Sequence, residues 1–113
     1  MNAIQFIQQN GVEKAREVLS GAPDGATHLS DDACHYVNAD FKPLPTHIKE
    51  QLHKLIVIEH IKRLVESVYL VKEHHTLDRA IEYANSQYTA PEIKVCLLDA
   101  IADYRSIYGG EHV

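Results

Sequence analysis

The sequence predicts a predominantly helical α+β domain: an N-terminal helical hairpin, a short β-hairpin and three or more C-terminal helices. Three observations lead there. Apolar residues recur at helical spacing through most of the chain, two short alternating stretches interrupt that pattern near residue 30, and turn residues stand between the two regimes. At 113 residues the chain has the length of one domain with a modest core. The expected division is 1–22 helical hairpin, 26–38 β-hairpin and 46–108 helical region.

Asn2 with Gln5 three residues on forms the pattern of a capping box, and Ile4, Phe6 and Ile7 give the first helix its apolar side. Asn10-Gly11 stops it, because both residues tolerate the left-handed backbone that ends helices. Val12, Ala15, Val18 and Leu19 mark a second helix, closed by Gly21 and the turn signal Pro23-Asp24-Gly25. ATHLS and ACHYVNA then read as two strands about the polar Asp31-Asp32. A lone hairpin is marginal in water, so this one has to pack on helices. The prolines of DFKPLPTH make the best internal hinge.

Beyond the hinge, Thr46 is expected to cap a helix through Ile48, Leu52 and Leu55. Val57, Ile61, Leu64, Val68 and Val71 follow with 4-3-4-3 spacing, a seam along one helical face. The two registers do not align. The phase therefore changes around Leu55–Ile58, a stretch compatible with a third strand or a bent helix, with helix favoured. Leu77, Ala80, Ile81 and Ala84 give a short helix ending near Ser86. Thr89-Ala-Pro-Glu92 reads as a capping box with proline in the first turn of a last helix. Ile93, Leu97, Ala100, Ile101 and Tyr104 form its buried side, and Gly109-Gly110 its end.

Composition narrows the function classes. The hydrophobic share of 45% and charged share of 24% are those of an ordinary globular chain. Apolar runs such as Leu55-Ile56-Val57-Ile58 fall far short of the ~18 residues that read as a membrane span. The opening carries no basic stretch followed by an apolar one, so a cytoplasmic location is expected, with Cys34 and Cys96 reduced. A net charge of −5 argues against nucleic acid as the partner, since phosphate binding rests on Lys and Arg. Residues 1–45 hold six acidic side chains and three basic ones, and Glu13, Lys14, Arg16 and Glu17 on the second helix cancel. A helical hairpin serving the domain is thus preferred to a DNA-reading one.

Eight histidines raise the question of metal. His28, Cys34 and His35 would converge if the hairpin forms, His53 and His60 are two helical turns apart, and His74 and His75 are adjacent. None has the spacing of a metal-binding pair, so neither a metal nor another cofactor is expected. No nucleophile elbow, activated cysteine or glycine-rich phosphate loop occurs, and no catalytic residue is assigned. What remains is a recognition face. Glu92, Asp99 and Asp103 share one side of the last helix with Cys96, and Tyr83, Tyr88, Tyr104 and Tyr108 cluster in the same third of the chain. Carboxylates there suit a basic partner surface, and tyrosine is a large rigid amphipathic anchor.

MNAIQFIQQNGVEKAREVLSGAPDGATH, the opening stretch, resembles the N-terminal module of small accessory proteins of lambdoid temperate phages and prophages. IKRLVESVYLV and LLDAIADYRSIYG are similar to the mid-chain and C-terminal segments of that group, and the three stretches make up roughly half of the chain. The resemblance implies a protein of the host bacterial cytoplasm without enzyme activity. It implies a role in modifying host physiology or countering host defence. The expected function is therefore binding of a host protein, such as a defence nuclease or another host enzyme, with inhibition by occlusion. A homodimer that buries part of the Val57–Val71 seam is compatible with this. The alternative is a small dimeric DNA-binding regulator with a basic patch assembled from Lys54, Lys62 and Arg63.

Overall fold

A computed structural model describes residues 2–30, 35–40 and 45–109, except for the side chains of Gln51 and His53. The fold is a predominantly helical α+β arrangement with a small antiparallel sheet. It divides into two compact units, Met1–Lys62 and Arg63–Val113. The Asp31-Asp32 turn, Cys34 and the Phe41–Leu44 part of the proposed hinge lie outside the described residues.

The first unit opens with helix α1 (Ala3–Asn10), held at its start by the expected capping box. Asn2 Oδ1 accepts from the Gln5 N–H at 2.8 Å, and Gln5 Oε1 accepts from the Asn2 N–H at 3.0 Å. Gly11 ends it with φ +88° and ψ 159°, a combination that essentially only glycine adopts. Helix α2 (Val12–Gly21) starts at once, so the two helices form the predicted hairpin, burying Phe6, Ile7, Val12, Ala15 and Val18.

Strands β1 (His28–Leu29) and β2 (Tyr36–Val37) pair antiparallel, as the sequence predicts. The Tyr36 hydroxyl donates to the Val18 carbonyl at 2.8 Å and ties β2 to the end of α2. On the other edge of β1 lies β3 (Ile56–Val57), giving the order β2-β1-β3. The preference for helix at Leu55–Ile58 is corrected here. Ile56 and Val57 are β-branched and take the free edge of β1, and the Ile58 N–H donates to the Thr27 carbonyl at 3.0 Å. Leu29 and Ile56, directly opposite each other, are both fully buried. Ahead of β3, helix α3 (Thr46–Gln51) begins after Pro45 and runs into a 3-10 turn, Leu52–Lys54. Pro45 is its N-cap residue, so Thr46 is the first helical residue rather than the cap.

Helix α4 (Ile58–Glu73) spans the boundary of the two units. Its seam positions Ile61, Leu64, Val68 and Val71 are all buried, whereas Val57, the first position of the expected seam, lies in β3 and is half-buried. In the second unit Val71 joins Leu77, Ala80 and Ala84 of α5 (Leu77–Asn85) and Leu97, Ala100 and Ile101 of α6 (Pro91–Tyr108) in one apolar cluster. Alanines at three of these positions let the helices approach closely. Thr76 caps α5 by accepting from the Arg79 N–H at 3.1 Å.

The capping box expected at Thr89–Glu92 does not form. Pro91 occupies the first helical position, which makes Ala90 the N-cap residue and leaves Thr89 one place too early. The Thr89 hydroxyl instead donates to the Tyr83 carbonyl near the end of α5, which also accepts from the Ser86 N–H at 3.2 Å.

Candidate recognition site on the second unit

The predicted recognition residues lie on α5, α6 and the turn between them, and their surroundings differ. Glu92 and Asp99 are exposed on α6. Asp103 is not available in the same way. Its side chain is 17% exposed, accepts from the buried Ser67 hydroxyl at 2.7 Å and pairs with Arg63 at 3.2 Å. It ties the part of α4 that lies in the second unit to α6, which leaves Glu92 and Asp99 as the exposed carboxylates of the predicted set. Arg63, one of the three cations of the expected basic patch, is thereby paired with a carboxylate while its side chain stays 66% exposed.

Among the tyrosines, Tyr88 is 89% exposed in the turn before α6, while Tyr83 packs against His74 with ring centroids 5.0 Å apart. Tyr104 is half-buried against the apolar cluster and 4.8 Å from Tyr108, centroid to centroid. Burial, and then the neighbouring Tyr104 and Tyr69, push the Tyr108 hydroxyl above its ordinary value, so it remains a neutral hydrogen-bonding group. Tyr88 and Tyr83 thus face outward, and Tyr104 serves packing first.

Two depressions meet at His74. The first, about 290 Å³, has an almost wholly apolar surface and is lined by Leu70, His74, Glu92, Ile93, Cys96 and Leu97. It forms where Leu70 on α4 and His74 in the turn just past its end meet Ile93 and Leu97, one helical turn apart on α6. The second is a broad polar basin where α4 turns into α5, with Glu73, His75, Arg79 and Glu82 beside the His74–Tyr83 pair. His75 makes that turn in the left-handed region, φ +73°, with its N–H donating to the Lys72 carbonyl at 2.9 Å. The sequence signals the histidine pair but not the basin, because Arg79 and Glu82 arrive only when α5 folds back.

Exposed apolar side chains continue along α6. Val95 is 60% exposed, Ile93 49% and Leu98 44%, while Leu97, Ala100, Ile101 and Ile107 of the same helix are buried. The sequence places Ile93 on the buried side and gives no signal at Val95 and Leu98, since apolar residues on both sides of a helix blur its periodicity.

His28 Nδ1 lies 2.8 Å from the Thr27 hydroxyl, which also donates to the Val37 carbonyl and accepts from the Ala39 N–H. Of the proposed His28, Cys34 and His35 group, Cys34 lies outside the described residues, as does the His53 side chain. Among the described residues no three His, Cys, Asp or Glu side chains converge as metal ligands.

Burial lowers the His28 pKa below 6.5; Asp40 opposes this shift and His60 adds to it. The folded chain therefore resists protonation that the unfolded chain accepts. This contribution to stability is complete above 6.5, and it declines as pH falls through 6.5 toward the lower folded value. The urea midpoint of the parent chain is expected to fall more steeply on acidification than that of His28→Asn. An NMR titration should place the imidazole midpoint below 6.5. Parallel curves for the two chains would disprove the assignment.

No helix among the described residues is long and apolar enough to cross a membrane. Comparison with protein-family models, curated proteins and solved structures returned no match to this chain.

Proposed function

We propose that this chain is a non-enzymatic binding protein that docks a partner protein through its second unit, with α6 as the principal contact element. The observation that carries the reading is the two-sided apolar character of α6. One side fills the unit's own core, with Ile93 exposed at its open end, and Val95 and Leu98 lie on the other side. A helix apolar on all sides is ordinarily buried, and exposed apolar surface bordered by charge is typical of protein contact sites. Exposed Glu92 and Asp99 supply that border, and Tyr88 supplies a rigid aromatic contact.

In the wider reading the partner is a host protein, such as a defence nuclease, that is inhibited by occlusion. That part rests on the sequence resemblance to phage accessory proteins. An acidic, apolar face suits occlusion of an enzyme whose own substrate is a polyanion, because such enzymes present basic clefts.

The test is affinity capture from enterobacterial lysate with the parent chain and with Val95→Asp/Leu98→Asp, both checked for unchanged circular dichroism. The same protein should be recovered by the parent and lost by the double variant. Equal recovery by both would remove α6 from the site.

A further inference from the structure

Resting on the reading of the second unit as a docking unit, we infer that the groove between α4 and α6 seats an apolar anchor of a basic amphipathic helix. The groove's size narrows its occupant. At about 290 Å³ it lies at the lower edge of small-molecule sites, and its surface has almost no polar group to orient a cofactor. An apolar side chain or two entering from a partner helix meets Leu70, Ile93 and Leu97 without requiring further polar partners.

Charge selects the rest of the partner. On α6, Glu92 lines the groove, and Asp99 stands one turn beyond Cys96 on the same side. On α4, Glu66 precedes Leu70 by one turn and Glu73 follows it by one, and both are exposed. Carboxylates therefore flank the apolar opening on both helices. Of the cations near these rows, Lys62 and Arg63 stand one turn before Glu66, Arg63 is held by Asp103, and Arg79 shares the basin with Glu73. Lys72 lies over the Tyr69 ring at 5.8 Å, and helical spacing puts Lys94 on the opposite side of α6 from Glu92.

Such a rim attracts lysines and arginines placed on either side of an apolar anchor, and it repels phosphate-bearing surfaces. A basic amphipathic helix satisfies both requirements at once. Its leucine enters the groove, and basic side chains a turn away on each side meet Glu92 and Asp99 on one rim and Glu66 and Glu73 on the other.

Cys96 is an exposed free thiol at this groove and provides a direct reporter. In a Cys34→Ser chain, a blocked helical peptide with leucines on one face flanked by lysines should slow modification of Cys96 by a water-soluble thiol reagent. It should also shift the NMR signals of His74 and Ile93. Glu92→Lys/Asp99→Lys should weaken this peptide by about ten-fold or more and improve binding of its lysine-to-glutamate counterpart. Ile93→Asp should weaken both peptides.

Equal affinity for the lysine and glutamate peptides would overturn the inference, as would an unshielded Cys96. Preferential binding of duplex DNA or of phosphatidylglycerol vesicles would overturn it too. Partner capture that depends on Val95 and Leu98 would survive those results, so the docking unit and its occupant fail separately.

Discussion

Replacing Leu97 by alanine is expected to lower the unfolding free energy by about 2–5 kcal/mol, whereas the same change at adjacent Leu98 should stay within about 0.5 kcal/mol. The two residues are chemically identical and consecutive, and the helix turns them about 100° apart. Leu97 is 1% exposed and belongs to the cluster of Val71, Leu77, Ala80, Ala84, Ala100 and Ile101. Truncation there removes transfer free energy and leaves a cavity. Three of those neighbours are alanines, whose short side chains cannot swing in to fill it, so the upper part of the range is expected. Leu98 is 44% exposed and loses little that the unfolded chain does not also lack. Urea unfolding followed by circular dichroism measures both. Partner capture should show the reverse weighting at Leu98, which is stable but weakened in binding. Equal destabilisation by the two variants would contradict the orientation of α6.

Asp103→Ala is expected to cost about 1–3 kcal/mol, nearly all of it through Ser67 rather than Arg63. The Arg63 side chain is 66% exposed, and an ion pair with such a partner contributes little because water screens it. The Ser67 hydroxyl is buried and donates to Asp103 at 2.7 Å, so losing the carboxylate strands a donor away from water. The cycle Ser67→Ala, Asp103→Ala and the double variant separates the two contributions. Once Ser67 is alanine, removing Asp103 should cost only a few tenths of a kcal/mol. A double variant whose cost equals the sum of the single ones would refute the coupling. Asp103→Lys should be the most damaging of the series, since it places an ammonium beside Arg63 and against Ser67. Charge reversal at Asp103 is therefore expected to act on stability, and the same change at exposed Asp99 on the proposed partner contact.

The contrast between Asp99 and Asp103 indicates how far the sequence carries the site. Both lie on one side of α6 by spacing, and spacing alone treats them alike. They differ because Ser67 and Arg63, more than thirty residues earlier, meet only the second. The same limit applies at Thr89, whose hydroxyl is claimed by a carbonyl of α5, and at the basin around His74, which exists only once α5 folds back.

By itself the sequence determined the predominantly helical α+β class, the α1–α2 hairpin with its Asn2–Gln5 box, the β1–β2 pairing and the buried seam of α4. Each is governed by side chains a few residues apart, or by a period that repeats along one element. Tertiary structure alone decided that Ile56–Val57 is a strand, because its partner is an edge offered by His28–Leu29. It also decided that Asp103 is a clamp, and that Val95 and Leu98 face outward while Leu97 does not. An α-helix with apolar residues on two sides has no preferred inner face until its neighbours cover one of them. In α6 the small side chains of α5 made that choice, and the uncovered side is where a partner is expected.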